Sequence, residues 1–442
     1  MKRLFKYIIT LILIFSIFVS PTVSAFQISG FELNAKAAML ISLDTGEVLY
    51  AKNENAKMYP ASITKLLAAV IMVENTPDLD NTKITATKQA LTEILGTGAS
   101  VIGLKEGEEL TVRQALYCLL VSSGGDVAYV IAEHYGGSTE NFMDMMNKKA
   151  AEIGMTASHF GNPVGLHDEQ TYTTAADIAL LARYALQYDV ITEVTSVSRY
   201  QLAATNKSAA RTLSTTNFLI DPSTNYYYKY ASGLKTGFTD QAGRCVVSTA
   251  SYEGYNYLCI IMNCDSSGGQ RNEFVDSRNL YRWAFNNFEY KTLIDTTLPV
   301  AEIPVELSFS SDFIQLYPEK SITSILPVQA DASTINIVPT LVSETATAPV
   351  KAGTVLGTAE IIYAGEVIGK VNLVSRETVK ANIILQTGRV LKNIFTSTPF
   401  KIILALIVAA VLIFIGACIK LNMKSTKRRK VKYMPYDHRK RK

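Results

Sequence analysis

The chain has 442 residues, enough for two or three domains, and its 48% hydrophobic and 19% charged residues are the proportions of a folded protein rather than a disordered one. Its net charge of +4 comes from the tail: from residue 420 onward Lys and Arg crowd together with Asp437 as the sole acid, and without that tail the chain is acidic, so it carries no general nucleic-acid footprint. The histidines (His134, His159, His167, His438) do not cluster, and the cysteines (Cys118, Cys245, Cys259, Cys264, Cys418) show no Cys-x-x-Cys pair and no zinc spacing; a metal site is not expected, and the cysteines read as mostly buried thiols.

Met1-Lys2-Arg3, an apolar core over about residues 7–19 and Val23-Ser24-Ala25 give a basic start, a core short for a spanning helix and a small-x-small site. Residues 1–25 read as a signal peptide, with a retained anchor as the alternative. Apolar runs at 37–43 and 48–51 flank Asp44-Thr45-Gly46, a hairpin pattern. Pro60-Ala61-Ser62-Ile63-Thr64-Lys65 then precedes an apolar, helix-compatible run over 66–73. If a helix opens there, Ser62 lies in its first turn and Lys65 on the same face, so hydroxyl and amine can meet. Serine needs a base to become a nucleophile, and lysine serves only when burial or a nearby cation lowers its pKa. Alone, the pattern reads most simply as an ordinary helix start.

Residues 85–103, with Gly96, Gly98 and Gly103, read as a loop-rich surface segment. Thr111-Val112-Arg113-Gln114 is a capping-box pattern before an apolar run that ends in Ser122-Ser123-Gly124-Gly125-Asp126. Helices follow over about 127–135 and 139–153, then a turn at Asn162-Pro163-Val164-Gly165, then an alanine-rich helix capped by Thr173 or Thr174 and reaching about residue 188. Residues 203–232 are polar with no clear period and lead to Gly233-Leu234-Lys235-Thr236-Gly237-Phe238. Runs at 245–250 and 257–263 read as a hairpin, and residues 271–288 as a helix packed on a sheet through Trp283. From about residue 299, β-rich runs at 302–309, 322–328, 335–342, 355–363 and 367–373 predict a small all-β domain. Residues 402–419 carry no charge and just span a hydrocarbon core at 1.5 Å per residue, and the basic tail after them favours the cytoplasmic side.

Ser62/Lys65, Ser123 and Lys235-Thr236-Gly237 follow the order and rough spacing of the penicillin-recognising serine enzymes, whose motifs are Ser-x-x-Lys, Ser-x-Asn and Lys-Thr-Gly. Within that superfamily the chain resembles the low-molecular-weight penicillin-binding proteins that are D-alanyl-D-alanine carboxypeptidases, peptidase family S11. The matching segments are residues 59–65, 120–126, 162–166, 173–178 and 233–243. The resemblance implies an α/β (α+β) transpeptidase-like domain with a central antiparallel sheet flanked by helices, then a small all-β domain and one C-terminal transmembrane helix. The expected boundaries are a catalytic domain over 26–295, the β domain over 296–380, a linker over 381–399, the span over 400–420 and a cytoplasmic tail over 421–442.

By the same resemblance, Ser62 attacks the penultimate D-Ala carbonyl of a peptidoglycan stem peptide, Lys65 takes its proton, and Ser123 bridges Lys65 and Lys235. Lys235 and Thr236 of the Lys-Thr-Gly motif, completed by Gly237, bind the terminal carboxylate. The backbone N–H groups of Ser62 and Phe238 form the oxyanion hole, and Arg271 is a second carboxylate-binding candidate. No cofactor is implied, and β-lactams are expected as covalent inhibitors. One departure stands out: Gly125 occupies the position of the motif asparagine, removing hydrogen bonds worth about 1 kcal/mol each.

Two other readings are a serine β-lactamase and a non-catalytic, membrane-tethered binding protein on a decayed site. For the first, Glu133, Glu140, Glu152, Glu169 and Glu193 all lack an Asn four residues later, so the Glu-x-x-x-Asn loop that activates a deacylating water is missing. Gly125 is the sole support for the second.

Overall fold

The computed structural model describes residues 31–265 and 267–427. The expected signal peptide, and the part of the basic tail beyond residue 427, lie outside the described residues. Two compact units divide the chain: residues up to Lys291 with Ile325–Ala330 form one, and Thr292–Ser324 with the residues from Asp331 onward form the other.

The first unit is built on a five-stranded sheet. Strands β1 (Ala37–Ser42) and β2 (Val48–Lys52) form the expected hairpin, with Gly46 at φ +80° in the turn. Strands β3 (Ala231–Thr239), β4 (Gly243–Tyr252) and β5 (Tyr255–Cys264) complete it in the order β2-β1-β5-β4-β3, antiparallel throughout. Alternate residues of a strand point to opposite faces. Ala37, Met39 and Ile41 therefore enter one core and Ala38 and Leu40 the other. Because both faces are covered, β1 reads in sequence as a continuous apolar run rather than an alternating one.

Helix α1 (Thr64–Glu74) occupies the larger core and is buried from Thr64 to Met72, as its apolar surface on every side requires. Around it lie α2 (Val112–Leu120), α3 (Gly125–Gly136), α4 (Thr139–Ile153) and α5 (Ala175–Ala185), whose buried residues share that core. The capping box at Thr111 and Gln114 is formed, and Thr174 caps α5. Helix α6 (Asn272–Asn287) covers the opposite face through Phe274, Leu280 and Trp283.

Several stretches differ from expectation, among them strand β3, which the sequence does not mark as a strand. The loop-rich segment contains a short helix, Lys88–Glu93, started by the Thr87 hydroxyl accepting from the Ala90 N–H at 3.1 Å. A further helix, Asp189–Thr195, follows α5. Where the sequence is polar, Arg199–Leu202 pairs with Arg211–Ser214; each strand buries one residue, Leu202 and Leu213, which is too little for a visible alternation.

The second unit carries a six-stranded sheet of β6 (Ala301–Glu306), β7 (Phe313–Pro318), β8 (Ile335–Leu341), β9 (Ala346–Thr347), β10 (Val355–Tyr363) and β11 (Glu366–Ser375), ordered β8-β10-β11-β7-β6-β9. Strand β7 escaped the sequence reading although Ile314 and Leu316 alternate inward. The stretch 381–399 is not an unstructured linker. It holds helix α7 (Ile383–Thr396), capped by the Asn382 side chain, which accepts from the Ile384 and Leu385 N–H groups at 2.9 and 3.3 Å. Its apolar residues, among them Ile384, Leu391 and Phe395, are exposed. Helix α8 (Thr398–Lys427) contains 24 residues, Thr398–Leu421, long and apolar enough to cross a membrane.

Candidate active site

Ser62 sits on a tight 3-10 turn, Ala61–Ile63, that leads into α1. The turn begins with Ala61 at φ +46°, a left-handed conformation that side chains rarely adopt. Lys65, one turn on, is almost wholly buried, and its Nζ lies 2.8 Å from the Ser62 hydroxyl. The Val164 carbonyl accepts from the same Nζ at 2.9 Å and stands 3.5 Å from the Ser62 oxygen. Burial pulls the Lys65 pKa down to about 7, with the carboxylate of Asp126 opposing the shift. A lysine so placed can exist as the free amine near neutrality.

The Val164 carbonyl is held in place by its own turn. The Asn162 side chain accepts from the Gly165 and Leu166 N–H groups at 2.8 and 2.9 Å. Gly165 (φ +79°) lies so close that a Cβ there would fall 1.8 Å from the Ala61 carbonyl oxygen. Only glycine lets this turn dock on the nucleophile turn.

Ser123 lies between α2 and α3 at φ +60°, strain of the kind that gathers at functional sites. Its hydroxyl accepts from Lys235 Nζ at 3.1 Å. The resemblance led us to expect a hydroxyl bridging both lysines; among the described residues, Lys235 alone makes this bond. Lys235, on β3, also donates to its neighbour, the Thr236 carbonyl, at 2.9 Å. Its pKa is lowered by burial and by the charge of Lys65, which places the two amines in one electrostatic field.

Strand β3 runs directly beside Ser62. A Cβ on Gly237 would lie 2.9 Å from the Pro60 carbonyl oxygen and 3.0 Å from the Ser62 nitrogen, so glycine is what permits the approach. The Phe238 side chain is 46% exposed, with the Arg244 guanidinium 5.0 Å from its ring centre. The Arg271 guanidinium rests against the rings of Phe218 and Phe274 at 4.6 and 4.8 Å, and its Nε donates to the buried Glu273 carboxylate at 2.6 Å. It is therefore a held cation rather than a free surface arginine.

A cleft of about 880 Å³ is lined by Ser62, Lys65, Ser123, Thr236, Gly237, Phe238 and Arg271. Each candidate residue from the sequence lines this cleft except Lys235, which lies behind it and reaches it through Ser123 and the Thr236 carbonyl.

Sequence reasoning missed several contributors. The Val164 carbonyl was flagged only as part of a turn. Thr216 reaches the cleft from the patternless stretch and hydrogen-bonds the Thr236 hydroxyl. Asp126, buried behind Ser123, accepts from the Ile102, Gly103 and Leu104 N–H groups at 2.9–3.2 Å and ties the 97–104 segment to the site. An acid right after a Ser-Gly-Gly turn was the available signal for it.

The D-alanyl-D-alanine carboxypeptidase family (peptidase S11) matches residues 22–266, and the C-terminal domain of penicillin-binding protein 5 matches residues 288–381. The chain is 32% identical over 348 residues to the D-alanyl-D-alanine carboxypeptidase DacF of Bacillus subtilis, covering 78% of this chain and 86% of that one. It is 27% identical to DacD of Escherichia coli, over 79% of this chain and 87% of that one. Among solved structures it is similar in fold to the carboxypeptidase DacD of Francisella tularensis, with TM-score 0.65 and 24% identity over 82% of this chain and 98% of that one. The Streptomyces K15 DD-transpeptidase aligns with TM-score 0.54 and 26% identity over 59% of this chain and all of that one. With the family match covering more than half the chain, and a relative 32% identical over 78% of it, the chain belongs to the D-alanyl-D-alanine carboxypeptidases of peptidase family S11.

Proposed function

We propose that the chain is a serine hydrolase that removes the terminal D-alanine from peptidoglycan stem peptides through an acyl-enzyme on Ser62. The Ser62 oxygen bonds to the penultimate D-Ala carbonyl carbon, and its proton passes to Lys65 Nζ. The C–N bond to the terminal D-Ala then breaks, and the leaving amine takes a proton relayed through Ser123. Water hydrolyses the ester, releasing the shortened peptide and restoring the Ser62 hydroxyl. Thr236 and Arg271 hold the terminal carboxylate with Lys235 adding positive charge from behind Ser123, and the Ser62 and Phe238 N–H groups receive the oxyanion, where a single donor is worth about 3 kcal/mol of barrier.

The observation that carries this reading is the 2.8 Å contact between a buried lysine with pKa near 7 and the Ser62 oxygen, beside a second buried lysine on Ser123. Penicillin acylates the same serine and leaves slowly. The C-terminal apolar helix tethers the catalytic unit on the extracytoplasmic face, within reach of the cell wall. Mass spectrometry of the chain incubated with penicillin tests the core of the proposal: one adduct on the peptide containing Ser62 is expected, and none on Ser62→Ala. An adduct elsewhere, or persisting in Ser62→Ala, overturns it.

A further inference from the structure

The place where the second motif of this family carries an asparagine holds Gly125, and the structure has already filled the space beside it. The Gly125 N–H donates to the Ser100 carbonyl at 2.6 Å. A Cβ on Gly125 would lie 3.0 Å from that carbonyl oxygen, 3.1 Å from Ile94 Cδ1 and 3.3 Å from Ala99 Cβ. A side chain there would be tight, and the 94–100 segment would have to give by a few tenths of an ångström to admit it. That segment is fastened from its other end as well, since the Asp126 carboxylate holds the Ile102, Gly103 and Leu104 N–H groups. Thr97 stiffens its middle, its hydroxyl donating to the Ile94 carbonyl at 2.8 Å. Between these anchors, Thr97, Gly98, Ala99 and Ser100 line the cleft together with residues 236–241 of β3 and its turn.

We propose that residues 98–100 form the substrate-contacting wall on the side where a motif asparagine would act, with the Ser100 hydroxyl hydrogen-bonding the acyl-side backbone of the stem peptide. This inference rests on the carboxypeptidase reading above. Gly125 is then not a lost residue. It is the small residue that lets a main-chain wall close on the site, and the segment and the glycine act as one unit. The peptide lies extended between this wall and β3. A serine hydroxyl is both donor and acceptor, so like an amide it can pair with a backbone N–H or C=O of the peptide.

The test uses the full chain in detergent, an N-acylated L-Lys-D-Ala-D-Ala tripeptide and a fluorescent penicillin. Ser100→Ala is expected to raise KM for the tripeptide roughly fivefold, the equivalent of one net hydrogen bond. Stoichiometric penicillin labelling of Ser62 and the melting temperature stay unchanged. Gly125→Asn is expected to lower kcat/KM further by displacing the wall. Unchanged tripeptide kinetics in Ser100→Ala overturns the proposal, as does a Gly125→Asn variant with higher kcat/KM than the parent. Should Gly125→Asn fail to fold, the Ser100→Ala result decides alone. A parent chain that neither takes penicillin nor cleaves the tripeptide overturns the carboxypeptidase reading instead.

Discussion

Lys65 Nζ lies 2.8 Å from the Ser62 hydroxyl, and burial holds the Lys65 pKa at about 7 rather than at its ordinary 10.5. A single N···O distance serves both proton positions, so the pair can pass the proton from oxygen to nitrogen without moving.

From this follows a pH dependence. The base must be unprotonated, so kcat/KM for a D-Ala-D-Ala peptide is expected to rise with pH up to about 7 and level off above it. Lys65→Arg, whose guanidinium does not deprotonate, should lose penicillin acylation at every pH. Stability runs in the same direction. The unfolded lysine binds its proton at higher pH than the folded one, so the cost of burying it is absent above 10.5, grows as pH falls toward 7 and is constant below. Lys235, shifted the same way, adds to the trend. A pH–rate profile and melting curves between pH 6 and pH 10, a range set by these shifts, check both statements. An activity limb centred far from neutrality would remove Lys65 as the base.

Ser123 is held at φ +60°, a left-handed conformation that costs a non-glycine residue stability. Replacing it with glycine relieves a backbone cost of about 1 kcal/mol and deletes the hydroxyl that Lys235 holds. Ser123→Gly is expected to melt no lower than the parent while losing at least about tenfold in kcat, consistent with removal of a proton relay. Ser123→Ala keeps the strain and should be less stable than the glycine variant with equally low activity. Thermal melts beside steady-state kinetics separate the two effects.

Gly165→Ala should be severe. The new Cβ would meet the Ala61 carbonyl oxygen at 1.8 Å in a backbone region that disfavours alanine. A destabilisation of about 2 kcal/mol or more is expected. The carbonyl of Val164 would also leave Lys65, so any folded fraction should label poorly with penicillin. Denaturant melts with labelling normalised to folded protein provide the check.

Arg271 is held by Glu273 and two aromatic rings at the rim of the cleft. Arg271→Ala is expected to raise KM for peptides ending in a free carboxylate by about tenfold or more, with little change for the C-terminal amide. It also leaves the buried Glu273 without its partner, and a lowered melting temperature should follow. Equal kinetic effects on acid and amide would assign Arg271 to structure alone.

The sequence by itself determined the order of elements and the identity of the chemistry. Apolar runs marked four of the five strands of the sheet, β3 being the exception, caps such as Thr111 and Thr174 marked helix starts, and Ser62, Lys65, Ser123 and Lys235 stood out by residue type and spacing. These are local signals, written in periods of two and of about four residues. Tertiary structure alone decided what surrounds them. Val164 contributes a backbone carbonyl, which no side-chain pattern encodes, and Thr216 arrives from a stretch with no period. The preference of Ser123 for Lys235 over Lys65 depends on how β3 sits against the α2–α3 turn. Gly125 stands in sequence only as a departure from the motif; in the fold, the Ser100 carbonyl oxygen lies 3.0 Å from where its Cβ would be, a contact between segments 25 residues apart. Such contacts depend on the packing of distant segments, and that is set only when the whole core closes.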